Sequence, residues 1–230
     1  MAAPVLVPTQ ALGETFAGVT YHVDGELVPV LSVDVSHEAV YFEHHILLWK
    51  DPRVNIGIKA MKGAFKRMMA GIQIFVTEAS GQGEIAFSRD GAGHILGIHM
   101  NQGEEIHVRE HQFLAATSNI DYDFERVKGI SNILLGGSGF FIDRFHARNG
   151  AGILWLHGYG NVFEKTLQPH EQIDVEPGGW LYKDTHVKME TVSQKLSTGF
   201  FGGFNLFMNR FTGPGKVALQ SMYLHMPTES

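Results

Sequence analysis

The clearest indication of the fold is the stretch Gly202-Gly203-Phe204-Asn205-Leu206-Phe207-Met208-Asn209-Arg210-Phe211-Thr212-Gly213-Pro214-Gly215-Lys216-Val217-Ala218-Leu219. Its pattern is one β-strand, a Gly-Pro-Gly turn and a second strand, because apolar and aromatic runs bounded by Gly and Pro are typical of strands. Residues 71–87 and 137–156 repeat this layout. The leading glycines of the three copies, Gly71, Gly137 and Gly203, are evenly spaced along the chain, which indicates that one unit occurs three times.

Glycines also occupy the turn of each copy. Glycine adopts positive φ without steric cost, so their recurrence predicts the same turn in all three units and a structural role for these positions. The six turn glycines are Gly81, Gly83, Gly150, Gly152, Gly213 and Gly215.

Two further landmarks recur at nearly the same spacing as the leading glycines. Residues 104–108 are similar to residues 171–175. Apolar segments begin at Val40, Phe113 and Trp180, and the first of these intervals is slightly longer than the second. Units this short cannot bury an apolar face alone, so the copies must share one core. The sequence therefore predicts an all-β chain that forms a single domain over residues 1–230, with units at about 16–87, 88–156 and 157–222.

Composition sets the broad class of protein. The 230-residue chain has a net charge of −6, which argues against a nucleic-acid partner held by a general positive field. Cysteine is absent, which excludes disulfides and thiolate chemistry and fits a cytoplasmic location. No apolar run is long enough to span a bilayer, so no transmembrane segment is expected.

One stretch departs from the strand pattern. Residues 57–70 place Met61 and Met68 at helical spacing, and we predict a short helix or lid there. Its basic and aromatic side chains would form an amphipathic surface that touches a partner or a membrane, although a solvated helix face over core methionines is the favoured interpretation. The candidate partner surface is Lys62, Phe65, Lys66 and Arg67.

Histidine is the first source of candidate chemistry, with 13 copies in the chain. Metal-binding β-barrels of the cupin kind present His-x-His on one strand, and this motif does not occur here. His107 and His111, with Glu105 and Glu110 nearby, are the candidate metal ligands. The alternative, that these are polar positions at a strand end, is favoured because the matching third-unit positions preserve no ligand set.

Nucleophilic and phosphate-binding motifs are also unsupported. Ser138 follows two glycines, but the nucleophile elbow needs Gly-x-Ser-x-Gly, and Phe140 occupies the last position. No phosphate-binding glycine loop opens a helix. We therefore expect no catalytic residue, no cofactor and no resident metal.

The same stretches resemble a known family. The glycine pair, residues 204–220 and residues 63–71 resemble signatures of the altered-inheritance-of-mitochondria (mitochondrial biogenesis) family, and residues 160–173 match its third-unit run. The resemblance implies a TRAP-like fold, a short variant of the double-stranded β-helix, with three units about a pseudo-threefold axis. It implies no established activity. The chain departs from the family pattern at residues 79–82 and around Arg148.

Three functions follow as hypotheses. The first is a non-enzymatic, soluble oligomeric scaffold that binds a second copy, an unknown protein partner or, peripherally, a lipid surface. The second is a small-ligand or RNA-binding module, by analogy with the tryptophan-sensing RNA-binding attenuation protein. The third is a metal-dependent enzyme of cupin type that uses His107, His111 and another histidine.

Overall fold

The computed structural model describes residues 3–8, 10–60, 75–127, 140–197 and 203–222. In these residues the chain is all-β apart from one 3-10 turn at His44–Ile46. The strands are β1 (Val5–Leu6), β2 (Ala11–Phe16), β3 (Val19–Asp24), β4 (Val30–Asp34), β5 (Val40–Phe42), β6 (Leu47–Lys50), β7 (Val54–Ala60), β8 (Phe75–Gly81), β9 (Glu84–Phe87), β10 (Gly93–Met100), β11 (Glu105–Arg109), β12 (Phe113–Thr117), β13 (Asp121–Val127), β14 (Phe140–His146), β15 (Gly152–Tyr159), β16 (Val162–Leu167), β17 (Gln172–Val175), β18 (Trp180–Asp184), β19 (Lys188–Ser197), β20 (Gly203–Thr212) and β21 (Gly215–Gln220).

The strands form four antiparallel sheets. One has seven strands in the order β1-β16-β21-β18-β11-β14-β13, and one has six in the order β10-β15-β12-β5-β8-β7. A five-stranded sheet has the order β2-β3-β4-β9-β6, and a three-stranded sheet has the order β17-β20-β19. The period-two pattern of the sequence accounts for the inward faces, as in β3, where Val19, Tyr21 and Val23 are buried and alternate with half-buried residues.

Three strand ladders contain the same irregularity. β6 pairs with β9, β12 with β15 and β18 with β21, and each ladder shifts register by one residue. The first pairs of these ladders are Leu47↔Phe87, Phe113↔Leu156 and Trp180↔Leu219. Leu47, not Val40, therefore corresponds to Phe113 and Trp180. Matching Val40 to them was wrong, because Val40 lies on β5, which pairs with β8 and not with β9.

The helix predicted over residues 57–70 is wrong for residues 57–60. These residues belong to strand β7, which pairs with β8 in continuous register from Val54↔Gly81 to Ala60↔Phe75. Ile56 and Ile58 are β-branched, and β-branched side chains fit an extended ladder better than a helix. The rest of the predicted helix lies outside the described residues.

Apart from the pairing of β1 with β16, two pairings join strands of different predicted units. β5 pairs with β12, and β11 pairs with β18, both antiparallel. We call these two pairings the long-range joints. Each of the two largest sheets contains one joint and therefore combines strands from different parts of the sequence. Sequence periodicity does not specify pairings of this kind, because it indicates which face of a strand is buried and not which distant strand lies beside it.

The buried side chains form three clusters, and the first two combine side chains from both sides of a joint. The first contains residues of β3, β4 and β9 together with Leu114, Ala115 and Trp155. The second contains residues of β10, β11 and β15 together with Leu181 and Tyr182. The third is smaller and contains, from the later strands, Val175, Trp180, Phe211 and Val217 among others. No helix in the described part of the chain is both long and apolar enough to cross a membrane.

Candidate functional site

A polar cleft lies where β10, β11, β18 and β21 meet. It comprises two adjoining cavities of 790 and 330 Å³ that share Ile98, His99, Tyr182 and Lys216. Because β18 reaches β11 through the second long-range joint, the cleft combines side chains from distant parts of the sequence.

Glu105 is the centre of the charged group in the larger cavity. Arg144 approaches one carboxylate oxygen of Glu105 with Nη2 at 2.6 Å, and His107 Nε2 lies 3.1 Å from the same oxygen. His146 Nδ1 is 3.5 Å from the other oxygen. Burial raises the pKa of Glu105, but the hydrogen bonds from Arg144 and His107 outweigh burial and hold the pKa below its usual value.

The two candidate metal ligands occupy different surroundings. His107 lies on β11 between Glu105 and the Lys183 ammonium, whose Nζ is 3.2 Å from His107 Nδ1. His111 lies in the turn between β11 and β12 and is exposed, with φ +67°. Burial lowers the pKa of His107, and the charge of Lys183 lowers it further. Among the residues that the structure describes, no three His, Asp or Glu side chains are grouped so that they could hold a metal ion.

A second polar group links the two cavities. Tyr182 donates a hydrogen bond to Glu164, and Lys216 Nζ lies 2.9 Å from the other oxygen of Glu164. Burial raises the pKa of Tyr182, and the negative charge of Glu164 raises it further. Both ionic groups of the cleft are therefore compensated by partners on neighbouring strands, as is typical of structural ion pairs.

Tyr21 and His99 close the smaller cavity. Tyr21 donates a hydrogen bond to Glu14 Oε2 at 2.7 Å, and its oxygen is 3.1 Å from His99 Nε2. The His99 ring stacks on Phe16 with 4.5 Å between ring centroids. Burial raises the pKa of Tyr21, with a further contribution from its hydrogen bond to Glu14. The tyrosine therefore stays neutral at physiological pH.

The second notable feature is a pair of unmatched strand edges. β12 and β18 are internal strands, but β6, which has the same bulged ladder, lies at the edge of its sheet. β5 and β11 are also internal, whereas β17 lies at an edge. On β6, Leu48 is 48% exposed and Trp49 is 57% exposed. An edge strand presents unpaired backbone donors and acceptors and is a template for further pairing.

Residues 21–222 match the family model described as mitochondrial biogenesis AIM24. The chain belongs to this family. Among solved structures it is similar to the crystal structure of protein SPYM3_0169 from Streptococcus pyogenes, with a TM-score of 0.64 and 19% sequence identity over 89% of this chain and 94% of the other. At that identity the likeness shows the fold alone. No curated protein matches the chain.

In this AIM24-family chain the turn glycines have two kinds of geometry. Gly81, Gly83, Gly150 and Gly215 have positive φ, at +127°, +115°, +142° and +131°. At Gly152 a side chain would collide with Thr117 and Asn119, and at Gly213 one would collide with the backbone oxygen of Gln168 and with Leu167. Gly152 and Gly213 therefore serve close approach rather than positive φ.

Alanine at Gly81 is expected to be costly. Its Cβ would lie 2.5 Å from the backbone oxygen of Arg53, and φ is +127°. Gly103→Ala is the matched control, because Gly103 has φ +92° and no atom within 4 Å of the added Cβ. We expect Gly81→Ala to lower the free energy of unfolding by about 2 kcal/mol more than Gly103→Ala does, as measured by urea denaturation. Equal losses would show that the close approach does not matter.

The candidate partner surface of Lys62, Phe65, Lys66 and Arg67 lies outside the described residues. Strand β7, which leads toward it, carries Ile58 with an exposed fraction of 79%.

Several residues of the cleft and of the unmatched edges were not among the sequence candidates. Arg144, Glu164 and Lys183 carry no motif, because their partners come from other strands. The sequence did contain a signal that β6 corresponds to β18. Residues 47–51 read Leu-Leu-Trp-Lys-Asp, and residues 180–184 read Trp-Leu-Tyr-Lys-Asp, so these two stretches of the AIM24-family chain can be aligned without a structure.

Proposed function

We propose that the chain is a cytoplasmic, non-enzymatic scaffold that assembles into oligomers, and that it is built from three tandem TRAP-like units in one domain. The observation that carries the proposal is the exposure of Leu48 and Trp49 on the edge strand β6. Exposed apolar side chains on an open sheet edge favour association with another polypeptide, because pairing satisfies the backbone and buries the side chains together.

Repeated local contacts support the three-unit arrangement. The amide nitrogens of Val54, Ile120 and Val187 each donate to the backbone oxygen three residues earlier, at 3.0, 3.1 and 3.1 Å. These three turns follow β6, β12 and β18, the strands with bulged ladders. The same strand, bulge and turn therefore recur in each proposed unit. The pseudo-threefold axis itself stays a prediction.

The cleft supports no second function at present. Arg144 is paired with Glu105 and Lys216 with Glu164, so these cations are not available as a general anion site. The small-ligand and RNA-binding alternative therefore remains a prediction from the resemblance alone.

Light scattering tests the proposal. We expect the purified chain, of 25.5 kDa, to show a concentration-dependent mass above that of a monomer. Leu48→Lys is expected to return the mass toward the monomer, because a charge on the core side of a paired edge strand disfavours pairing. A strict monomer at every concentration would contradict the scaffold proposal.

Ile58→Lys is the matched control for this measurement. It makes the same change from a large apolar side chain to lysine on β7, which is also an edge strand, and its side chain is more exposed than that of Leu48. We expect Ile58→Lys to leave the mass unchanged. Dissociation by Ile58→Lys and not by Leu48→Lys would move the interface to β7.

A further inference from the structure

Six strands of the chain fall into two sets that meet at the long-range joints. The bulged strands are β6, β12 and β18, which pair with β9, β15 and β21 through a register shift. The receiving strands are β5, β11 and β17, which pair with β8, β14 and β20. Receiving strand β5 pairs with bulged strand β12, and β11 pairs with β18. One bulged strand, β6, and one receiving strand, β17, remain without such a partner in the described structure.

We propose that β6 of one copy pairs with β17 of a second copy, so that the five-stranded sheet of one copy joins the three-stranded sheet of the next. This inference rests on the proposed function, since it names the interface through which the chain would self-associate. The second copy is the occupant that fits, because each edge is the complement of the other and the chain already forms the same joint twice.

Burial supports the assignment of β6 as an unfilled joint. Leu114 on β12 and Leu181 on β18 take the position of Leu48, and both are 0% exposed. Leu114 packs in the first buried cluster and Leu181 in the second, in each case among residues of the preceding receiving strand and its neighbours. The third cluster contains Val175 of β17 and Trp180 of β18, but its described residues include none that takes the place of Leu48, Leu114 or Leu181. Leu48 of a second copy would supply that side chain.

The register of the joint follows from the two that are present. In the β11–β18 joint His107 lies opposite Lys183 and Val108 lies opposite Tyr182. The β5–β12 joint has the same register, with Tyr41 opposite Ala116 and Phe42 opposite Ala115.

The equivalent residues on the unfilled edges are fixed by their own ladders. Lys50 and Lys183 take the same place, because they pair with Ile85 and Val217 after the bulge. His107 and Asp174 take the same place, because they pair with Arg144 and Arg210. Asp174 of one copy is therefore expected opposite Lys50 of the next, which places opposite charges directly across the joint.

Trp49 would lie opposite Val175 in this register. Trp49 takes the place of Ala115 and Tyr182, which are 0% and 2% exposed, whereas Trp49 itself is 57% exposed.

A lysine at the edge does not by itself block pairing at this place. Edge lysines commonly protect open strands from association. Lys183 nevertheless occupies the same place in a paired strand, where its Nζ donates to the backbone oxygen of Val187 at 2.8 Å. Lys50 makes the same turn contact, with its Nζ 2.8 Å from the backbone oxygen of Val54. The Lys50 ammonium is therefore held by the same kind of hydrogen bond as the Lys183 ammonium in the β11–β18 joint.

The joint is heterologous, because a different edge of each copy takes part. Such contacts produce rings when the rotation closes and filaments when it does not. Each copy would use both edges, and a sheet would run across every boundary between copies.

Disulfide trapping tests this pairing directly, since the chain has no cysteine of its own. Lys50→Cys and Asp174→Cys are prepared as separate full-length proteins, mixed and oxidised mildly. Directly opposed residues of antiparallel strands have Cα atoms about 4.5–5.5 Å apart, within the range of a disulfide. We expect a disulfide-linked dimer from the mixture and little dimer from either variant alone. The double variant Lys50→Cys/Asp174→Cys should give a ladder of linked oligomers.

The double variant His107→Cys/Lys183→Cys is the positive control, because it places a disulfide across the equivalent joint inside one chain. Formation of that bond with no dimer in the mixture would overturn the pairing, as would an intrachain bond as the only product of Lys50→Cys/Asp174→Cys. Light scattering of the unmodified chain separates the two proposals. Oligomers without the trapped dimer reject this interface alone, and a strict monomer rejects the scaffold as well.

Discussion

Replacing Trp155 with alanine is expected to lower the free energy of unfolding by about 3–5 kcal/mol. Trp155 is fully buried on β15, and its ring meets that of Tyr21 edge to face at 5.4 Å. In the two ladders of β15 it lies opposite Gly97 and Ala115. Gly97 leaves space for the Tyr21 ring, which a Cβ there would meet first, and neither Gly97 nor Ala115 has a side chain that could fill the space left by the indole. The loss should therefore lie toward the upper end of the range.

Urea denaturation of the folded chain measures this effect, and two variants control it. Trp155→Phe should lose much less than Trp155→Ala, because it keeps a ring and removes an indole N–H that has no hydrogen-bond partner in the described part of the chain. Trp49→Ala makes the same truncation at an exposed site, and at low protein concentration it should change stability by only about 0.5 kcal/mol. A loss under about 1.5 kcal/mol for Trp155→Ala would contradict the packing argument.

Local features of the fold are predictable from this sequence. Strands β20 and β21 are visible in the stretch from Gly202 to Leu219, because alternation and turn glycines are short-range signals. The sequence does not show that the two strands belong to different sheets. The similarity of residues 104–108 to residues 171–175 predicts that β11 and β17 are corresponding strands, and each pairs with a later strand, β11 with β14 and β17 with β20. An all-β class and membership of the AIM24 family follow from the same patterns.

Long-range features were missed for physical reasons. Whether a strand becomes an edge or an internal strand depends on which distant strand reaches it, so β6 and β18 differ in exposure although their sequences are similar. The prediction of a helix over residues 57–70 was wrong for residues 57–60, because pairing with β8 outweighs the local spacing of the methionines. The contact of His107 with Lys183 had no motif, since the two residues are far apart in the sequence and meet only through the joint of β11 with β18.

The two joints inside the chain are the reference against which the open edges of β6 and β17 are compared. An exposed leucine or tryptophan on a surface is ordinary and needs no explanation. Leu48 and Trp49 differ because the structure contains two equivalent strands in which the same places are buried. The exposed edge is therefore compared with a filled joint of the same chain, and the register of the proposed contact follows from that comparison.

His157, two residues beyond Trp155 on β15, makes stability depend on pH. Burial, together with the nearby charge of Arg89, lowers its pKa to about 4. Asp90 and His94 are the other titratable groups that act on it, and the Tyr159 ring meets it edge to face. The unfolded chain binds a proton at His157 near pH 6.5, whereas the folded chain does not until about pH 4. Acid therefore favours the unfolded state in that window, and stability is lost as the pH falls.

We expect the free energy of unfolding to fall by about 2 kcal/mol between pH 7 and pH 5 because of His157 alone, since each pKa unit corresponds to about 1.4 kcal/mol. Urea denaturation at pH 7, 6 and 5 measures the slope. His157→Phe should reduce the slope by that amount, because phenylalanine fills the site and binds no proton. His170→Asn is the matched control, because it removes an exposed histidine from a turn with φ +66°, which asparagine tolerates, and it should leave the slope unchanged. Parallel pH dependences of the original chain and His157→Phe would show that His157 is protonated in both states or in neither.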